Sequence, residues 1–306
     1  MHKKVNAEKR ISMTGYLIFL LVFFISACIL IYPAVASWWN DNHQMGEAIA
    51  YQNEIEKLPD TDYSGYIKQA QEYNQAILNS GAILTDPFDF KAASAKVNAT
   101  ISNYDDMLNY TEIMATIEIP KIEIDLPIYH GTEENTLSKG IGHLQGTSLP
   151  VGGTGTHCVL TGHTGLPGKT LFTNLTKLKL GDLFYIHVMN EKLTYQVNDI
   201  SVVLPDDVSK ISLDSEQDYV TLITCTPYGV NDHRLLVQGT RIYPEELSEE
   251  EIKQIEENNA DNIKMSGIEI AQLVSSAIAF ILFIIMLIMT ISTARQNRRN
   301  RSQTEK

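Results

Sequence analysis

Residues that could staple the chain or bind a metal are scarce. Three cysteines in 306 residues, Cys28, Cys158 and Cys225, cannot build a disulfide-framed domain. Neither a CxxC nor an HxxxH spacing occurs among the cysteines and the eight histidines. A metal reading of His157, Cys158 and His163 fails on geometry, because strand neighbours such as His157 and Cys158 face opposite ways. No metal and no cofactor is therefore expected. No internal repeat is visible, which removes repeat architectures. Tryptophan is confined to the adjacent pair Trp38 and Trp39. Positive charge is also short, with 24 Lys and Arg against 37 Asp and Glu.

That positive charge is concentrated at the two ends. Of a formal net charge of −13, residues 1–12 carry +3 and residues 294–306 carry +4, so the middle carries −20. A strongly acidic middle argues against nucleic acid and favours basic partners, or serves solubility alone. Each basic end adjoins an apolar run, MTGYLIFLLVFFISACILIY from Met13 and IEIAQLVSSAIAFILFIIMLIMTI from Ile268. Both are near the ~20 residues that cross a bilayer. Basic flanks remain cytoplasmic, so both termini are expected inside and the middle outside. Ala34-Val35-Ala36 also fits a signal-peptidase site, but the apolar run is long for a signal peptide and Trp38-Trp39 reads as an interfacial belt. An uncleaved anchor is the expected form.

The organisation predicted from these signals is a cytoplasmic tail (1–12), a membrane helix or signal anchor (13–35), an extracellular helical region (36–110), a β domain (111–245), an acidic spacer (246–266), a second membrane helix (267–293) and a basic tail (294–306). MGEAIAYQNEIEKL and DYSGYIKQAQEYNQAIL carry apolar residues at helical spacing, and KAASAKVNATISNYDDML resumes the pattern more weakly. From about Ile113 the texture alternates, in IMATIEIPKIEIDLPIYHG, THCVLTGH, GDLFYIHV, KLTYQVNDISVVL, YVTLITC and RLLVQGTRIY. Many short strands with Gly and Pro turns predict a closed β-barrel or a sandwich.

The chemistry-bearing stretch is TLITCTPYGVNDHR, residues 221–234. In it Thr221, Ile223 and Cys225 share one strand face, and the strand ends at Thr226-Pro227. A thiol at a strand end beside a loop is placed as a reactive group is; the alternatives are a buried structural thiol or a disulfide to Cys158. A hairpin would return Arg234 to the side of Cys225. A cationic neighbour lowers a thiol pKa, and a guanidinium that never deprotonates can hold an oxyanion but cannot act as a base. The base is then a histidine. His163, between glycines in VLTGHTG, is the best placed; His143 and His233 are rivals, and His233 should face away from Arg234.

Taken together, TLITC, the downstream Arg234 and the upstream TGH resemble the sortases, membrane-anchored cysteine transpeptidases of Gram-positive bacteria. IPKIEIDLPIYHGT, GIGHLQGTSLPVGG, VLTGHTGLPGKTLFTNLTKLKLGD and TLITCTPYGVNDHRLLVQG resemble class C, the pilin-polymerising branch, as does a second apolar run at the C-terminus. The likeness covers roughly 38–245. It implies an eight-stranded sortase β-barrel with N-terminal helices, flanked by two membrane helices. It assigns Cys225 as nucleophile, His163 as general acid/base and Arg234 as the oxyanion and substrate ligand. Thr224 and His143 are possible supports. The implied partners are pilins bearing an LPxTG-like sorting signal and the lysine of an acceptor pilin. Thr164 departs from the class, which often has Arg there.

TDPFDF (85–90) reads two ways. Asp86 suits a helix N-cap with Pro87 in the first turn. The resemblance makes Asp86, Pro87 and Phe88 a lid, with Asp86 on Arg234 and Phe88 over Cys225. Rival functions are a housekeeping-type sortase that joins proteins to cell-wall precursors, a hydrolysing cysteine protease, and a non-enzymatic surface binding module.

Overall fold

The computed structural model describes residues 13–57, 62–80, 86–88 and 103–243, the apolar stretch 280–292, and a few isolated residues from 245 onward. The N-terminal basic tail, nearly all of the C-terminal one and of the acidic spacer, Thr85, Asp89 and Phe90 of the expected lid, and the helical pattern expected over 91–102 lie outside the described residues. Two compact units are distinguished, one of residues 37–263 and one of 1–36 with 264–306.

The first unit is a mainly β, closed eight-stranded barrel in the order β1-β2-β3-β4-β7-β8-β6-β5. Its strands are β1 (Ala115–Ile119), β2 (Ile124–His130), β3 (Ile141–His143), β4 (Thr156–Thr161), β5 (Leu183–Val188), β6 (Glu191–Val203), β7 (Asp218–Thr226) and β8 (His233–Ile242). Two pairings are parallel, β2 with β3 and β4 with β7; the others are antiparallel. Alternation sorts the side chains. Cys158, Leu160, Val220, Leu222, Leu235 and Val237 join the large interior cluster. Val159, Ile223 and Leu236, one position out of phase, join a smaller outer cluster with Leu144 and Ile211. The outer cluster is the floor beneath the site.

Helix α1 (Met13–Glu56) is continuous for 44 residues, where the sequence suggested a membrane segment followed by a separate helix. Pro33 removes one backbone donor without ending it. At 1.5 Å per residue it is ~66 Å long, more than twice a bilayer's hydrocarbon core. Beyond the apolar run it buries Gln44, Ala48, Tyr51 and Ile55, one stripe at helical spacing, within the barrel unit. Helix α2 (Ser64–Ser80) has the expected extent and buries Ile67, Ala70, Tyr73, Asn74 and Ile77. Tyr104–Asp106 form a single 3-10 turn.

In the second unit, Phe23 and Phe24 of α1 meet Phe283, with ring centroids 6.3 and 5.7 Å apart. Phe283 belongs to an apolar helix, Phe280–Ser292. These residues span ~20 Å, short of a bilayer; the remainder of the expected second span lies outside the described residues.

Candidate active site

Cys225 is the penultimate residue of β7, and Arg234 the second of β8. The antiparallel register sets them directly opposite one another. Both lie on the outer face, in phase with Ile223 and Leu236. His163 follows β4 by two residues, and backbone hydrogen bonds fix its loop. The Gly162 amide donates to Ile223 O (3.1 Å), and the Phe172 amide to His163 O (3.1 Å). The Thr224 hydroxyl, buried on the inner face, donates to Gly162 O at 2.7 Å. Gly162 admits no side chain, because a Cβ there would strike Ile141 and Phe172. The β7–β8 loop reaches the same place, with the Tyr228 ring resting against Gly165.

All three nitrogens of the Arg234 guanidinium donate hydrogen bonds. Nε and Nη2 donate to Asp86 Oδ1 and Oδ2 at 3.0 and 2.7 Å, a bidentate pair. Nη1 donates to the carbonyls of Asn231 and His233, both at 3.1 Å. Asp86 Oδ1 also accepts from the Phe88 amide at 3.3 Å. One carboxylate thus closes a local turn and clamps the arginine; the helix that Asp86 was expected to cap would run on among residues that lie outside the described ones. The Phe88 ring lies 5.7 Å from the His163 ring and 5.0 Å from Arg234 Cζ, a cation–π distance. It packs onto the outer cluster. A cleft of only about 10 Å³ remains beneath Asp86 and Pro87, against Leu204, Pro205 and Val208 of the β6–β7 loop.

Burial pushes the Cys225 thiol up; Arg234 pulls it down, and Asp86 pushes it up again. The sequence suggested a thiol lowered by its cationic neighbour. The net direction is opposite, because desolvation prevails and Asp86 offsets the guanidinium charge. Burial pulls His163 below the ordinary histidine range, against the opposing pull of Glu134. The resting site therefore holds a neutral thiol and a neutral imidazole at neutral pH. For Arg234, burial works downward but Asp86 and the thiol outweigh it, leaving the guanidinium more firmly protonated.

Other sequence candidates sit elsewhere. His143 is fully buried and pushed down to about 4 by burial. Its Nε2–H donates to Ser148 O (2.9 Å), so its Nδ1 accepts from the Tyr104 hydroxyl (2.8 Å). His233 pairs with Asp232 at 2.8 Å on the surface. His157 is held between Ser212 O and the Thr221 hydroxyl, while Cys158 points into the barrel core. All three cysteines are free, so the disulfide alternative is excluded. One neighbour of His163 escaped sequence reading. Glu134, in the short helix α3 (Glu134–Leu137), sets Oε2 3.7 Å from His163 Nε2. GTEENTL looks like an ordinary acidic turn, and nothing along the chain links it to TGH.

Residues 117–242 match the model of the Sortase domain family. The chain is 33% identical over 129 residues to Sortase D of Bacillus subtilis, covering 41% of this chain and 62% of that one. To Sortase A of Streptococcus agalactiae it is 30% identical over 142 residues, covering 45% and 57%. It thus spans about three-fifths of the length of these curated relatives. Solved structures are matched nearly whole. Sortase C-1 from Actinomyces oris is 46% identical, with 59% of this chain and 97% of that chain covered and a TM-score of 0.54. Streptococcus agalactiae sortase C1 is 40% identical, with 66% and 100% covered and a TM-score of 0.59. Streptococcus pneumoniae Sortase C, whose structure is described as bearing on pilin substrate specificity, is 41% identical, with 61% and 93% covered and a TM-score of 0.55. With solved sortases C matched over almost their whole length at 40–46% identity, the chain belongs to the sortase family, on its class C branch.

Proposed function

We propose that the protein is a pilin-polymerising transpeptidase that joins an LPxTG-like sorting signal to a lysine of the next subunit. The observation that carries this reading is the pairing of Cys225 with Arg234 across β7 and β8, under a lid whose Phe88 also meets His163. In the proposed reaction His163 takes the Cys225 proton, and the sulfur attacks the threonine carbonyl of the signal. Arg234, released from Asp86, holds the oxyanion. The Thr–Gly C–N bond breaks, the departing glycine amine takes the proton from His163, and a thioester remains. A lysine amine attacks the thioester, His163 accepts its proton, the C–S bond breaks, and His163 returns the proton to the departing thiolate, which restores the thiol and the neutral imidazole. One amide replaces another, so no ATP is needed. Thr224 supports this chemistry by fixing the His163 loop through Gly162.

The long apolar run in α1 is consistent with membrane anchoring. With the basic ends, it supports a catalytic domain on the extracellular face and cytoplasmic termini. The discriminating experiment incubates the full chain in detergent with an LPxTG-like peptide and two competing acceptors, a pilin bearing its lysine and a cell-wall-type amine. An isopeptide product with the pilin is expected. Preference for the cell-wall amine would make it a housekeeping-type enzyme. Hydrolysis alone would make it a protease, and no turnover a binding module.

A further inference from the structure

Helix α3 is braced against the His163 loop. Leu137 is fully buried, and the Thr136 hydroxyl donates to His130 O at 3.2 Å. Lys169, six residues past His163 on the same loop, donates from Nζ to Ser138 O at 2.5 Å. Gln44 of α1 donates to Lys139 O. These tethers hold Glu134 in place although its own side chain is 66% exposed. The nitrogen it approaches is distinctive. His163 Nε2 is shut off from water and makes no hydrogen bond, yet it lies 3.7 Å from Glu134 Oε2. A small closure of the exposed carboxylate would complete the bond.

We propose that Glu134 is a positioning residue for the transfer reaction: its carboxylate accepts the Nε2–H of His163 and leaves Nδ1 to carry the proton between Cys225 and the amines. The inference rests on the transpeptidase reading above. When Nδ1 takes the thiol proton the ring becomes cationic, and the Nε2–H to carboxylate bond becomes charge-assisted. The proton then leaves from Nδ1 to the glycine amine, and none passes to Glu134. The other charged or titratable groups around His163 cannot substitute. Asp86 on the lid is bound through both oxygens to Arg234 of β8, which stays cationic. Lys169 is bound to Ser138 O, and Cys225 of β7 is the reaction partner itself.

The sign and size of the effect follow. A carboxylate beside the ring favours imidazolium, so removing it lowers the His163 pKa further. An exposed pair of this kind is worth roughly half a pH unit, a factor of about 3. Because the resting pair is thiol and neutral imidazole, the acid limb of kcat/KM reports the His163 pKa. The plateau reports the fraction that reaches thiolate and imidazolium. One interaction governs both, so the limb shift and the logarithm of the plateau loss should agree.

The test compares the full chain, in detergent, with Glu134→Gln and Glu134→Asp. It records kcat/KM for an LPxTG-like peptide with an amine acceptor from pH 5 to 10, thermal midpoints, and 15N spectra of labelled histidines, with His163 assigned by His163→Gln. For Glu134→Gln the acid limb should fall by about 0.5 unit and the plateau by about 3-fold, with an unchanged midpoint. Glu134→Asp should restore most of both, and His163 in the parent should be the Nε2–H tautomer. A wild-type limb and plateau in Glu134→Gln would overturn the role. So would equal losses in both variants accompanied by a lowered midpoint, or an Nδ1–H tautomer. If the parent shows no turnover, the transpeptidase reading falls, while the 15N titration still decides whether Glu134 sets the tautomer and pKa of His163.

Discussion

At the scale of single residues, the site pairs a neutral thiol and a neutral imidazole with an ion pair between Arg234 and Asp86. The Cys225 thiol is raised by burial and by Asp86, so its alkylation should accelerate with pH past the ordinary thiol range near pKa ~8.5. Asp86→Ala with Phe88→Ala removes one cause and relieves the other, so the labelling midpoint should move to lower pH. A midpoint that stays or rises would show that Arg234 and the lid do not control the thiol. Arg234→Lys keeps the charge but loses the bidentate fork. Its kcat/KM should fall ~100-fold or more, comparable to loss of an oxyanion donor; near-normal turnover would remove Arg234 from the mechanism. Thr224→Val leaves Gly162 O without its 2.7 Å donor in a buried place. Stability should drop by about 1–3 kcal/mol, and calorimetry on the variant checks it.

The elements show which arguments from sequence succeed. Strand alternation put Cys225 and Arg234 on one face and a hairpin put them opposite each other, because both are local properties of period-two chains. The parallel pairing of β4 with β7 is not local. It brings Thr161 beside Ile223, and so the His163 loop beside Cys225; the family resemblance anticipated that His163 and Cys225 share a site, but not the pairing that does it. The Asp86–Arg234 pair, far apart in sequence, was likewise expected from resemblance alone. Glu134 was missed for the same reason, and so was the seating of the His163 loop on α1. There Asp41 accepts from the Thr170 amide (2.9 Å) and hydroxyl (2.6 Å), and Asn40 donates to Gly168 O (2.7 Å). Asp41→Ala should therefore loosen residues 164–172, seen as faster amide exchange there than in β7. Uniform exchange would mean that α1 is not a strut for this loop. If residues 86–88 act as a lid with an open state, removing its ion pair and aromatic should raise the open fraction about 10-fold or more. Labelling of Cys225 should rise by the same factor, where a helix cap alone would lower the thermal midpoint without faster labelling.

At the scale of the whole molecule, charge and hydropathy frame the site. The net charge of −13 is compatible with basic ends only because the middle is so acidic. Short alternating strands and Gly/Pro turns left a closed barrel and a sandwich both open; the resemblance supplied the eight-stranded barrel, and the strand order was not legible, since nothing in a single strand records its distant neighbour. The continuity of α1 was hidden by Pro33 and by the change from apolar to amphipathic pattern near residue 40. Added protease should cut intact protoplasts only in the acidic middle and spare both basic tails; a tail cut from outside would reverse the proposed topology. The central claim is acyl transfer through Cys225, and intact-mass analysis of the full chain with an LPxTG-like peptide tests it most directly. The expected result is an adduct of the peptide up to its threonine carbonyl, localised to Cys225, released by hydroxylamine and absent from Cys225→Ala. Peptide cleavage with no Cys225 adduct, undiminished in Cys225→Ala, would contradict it.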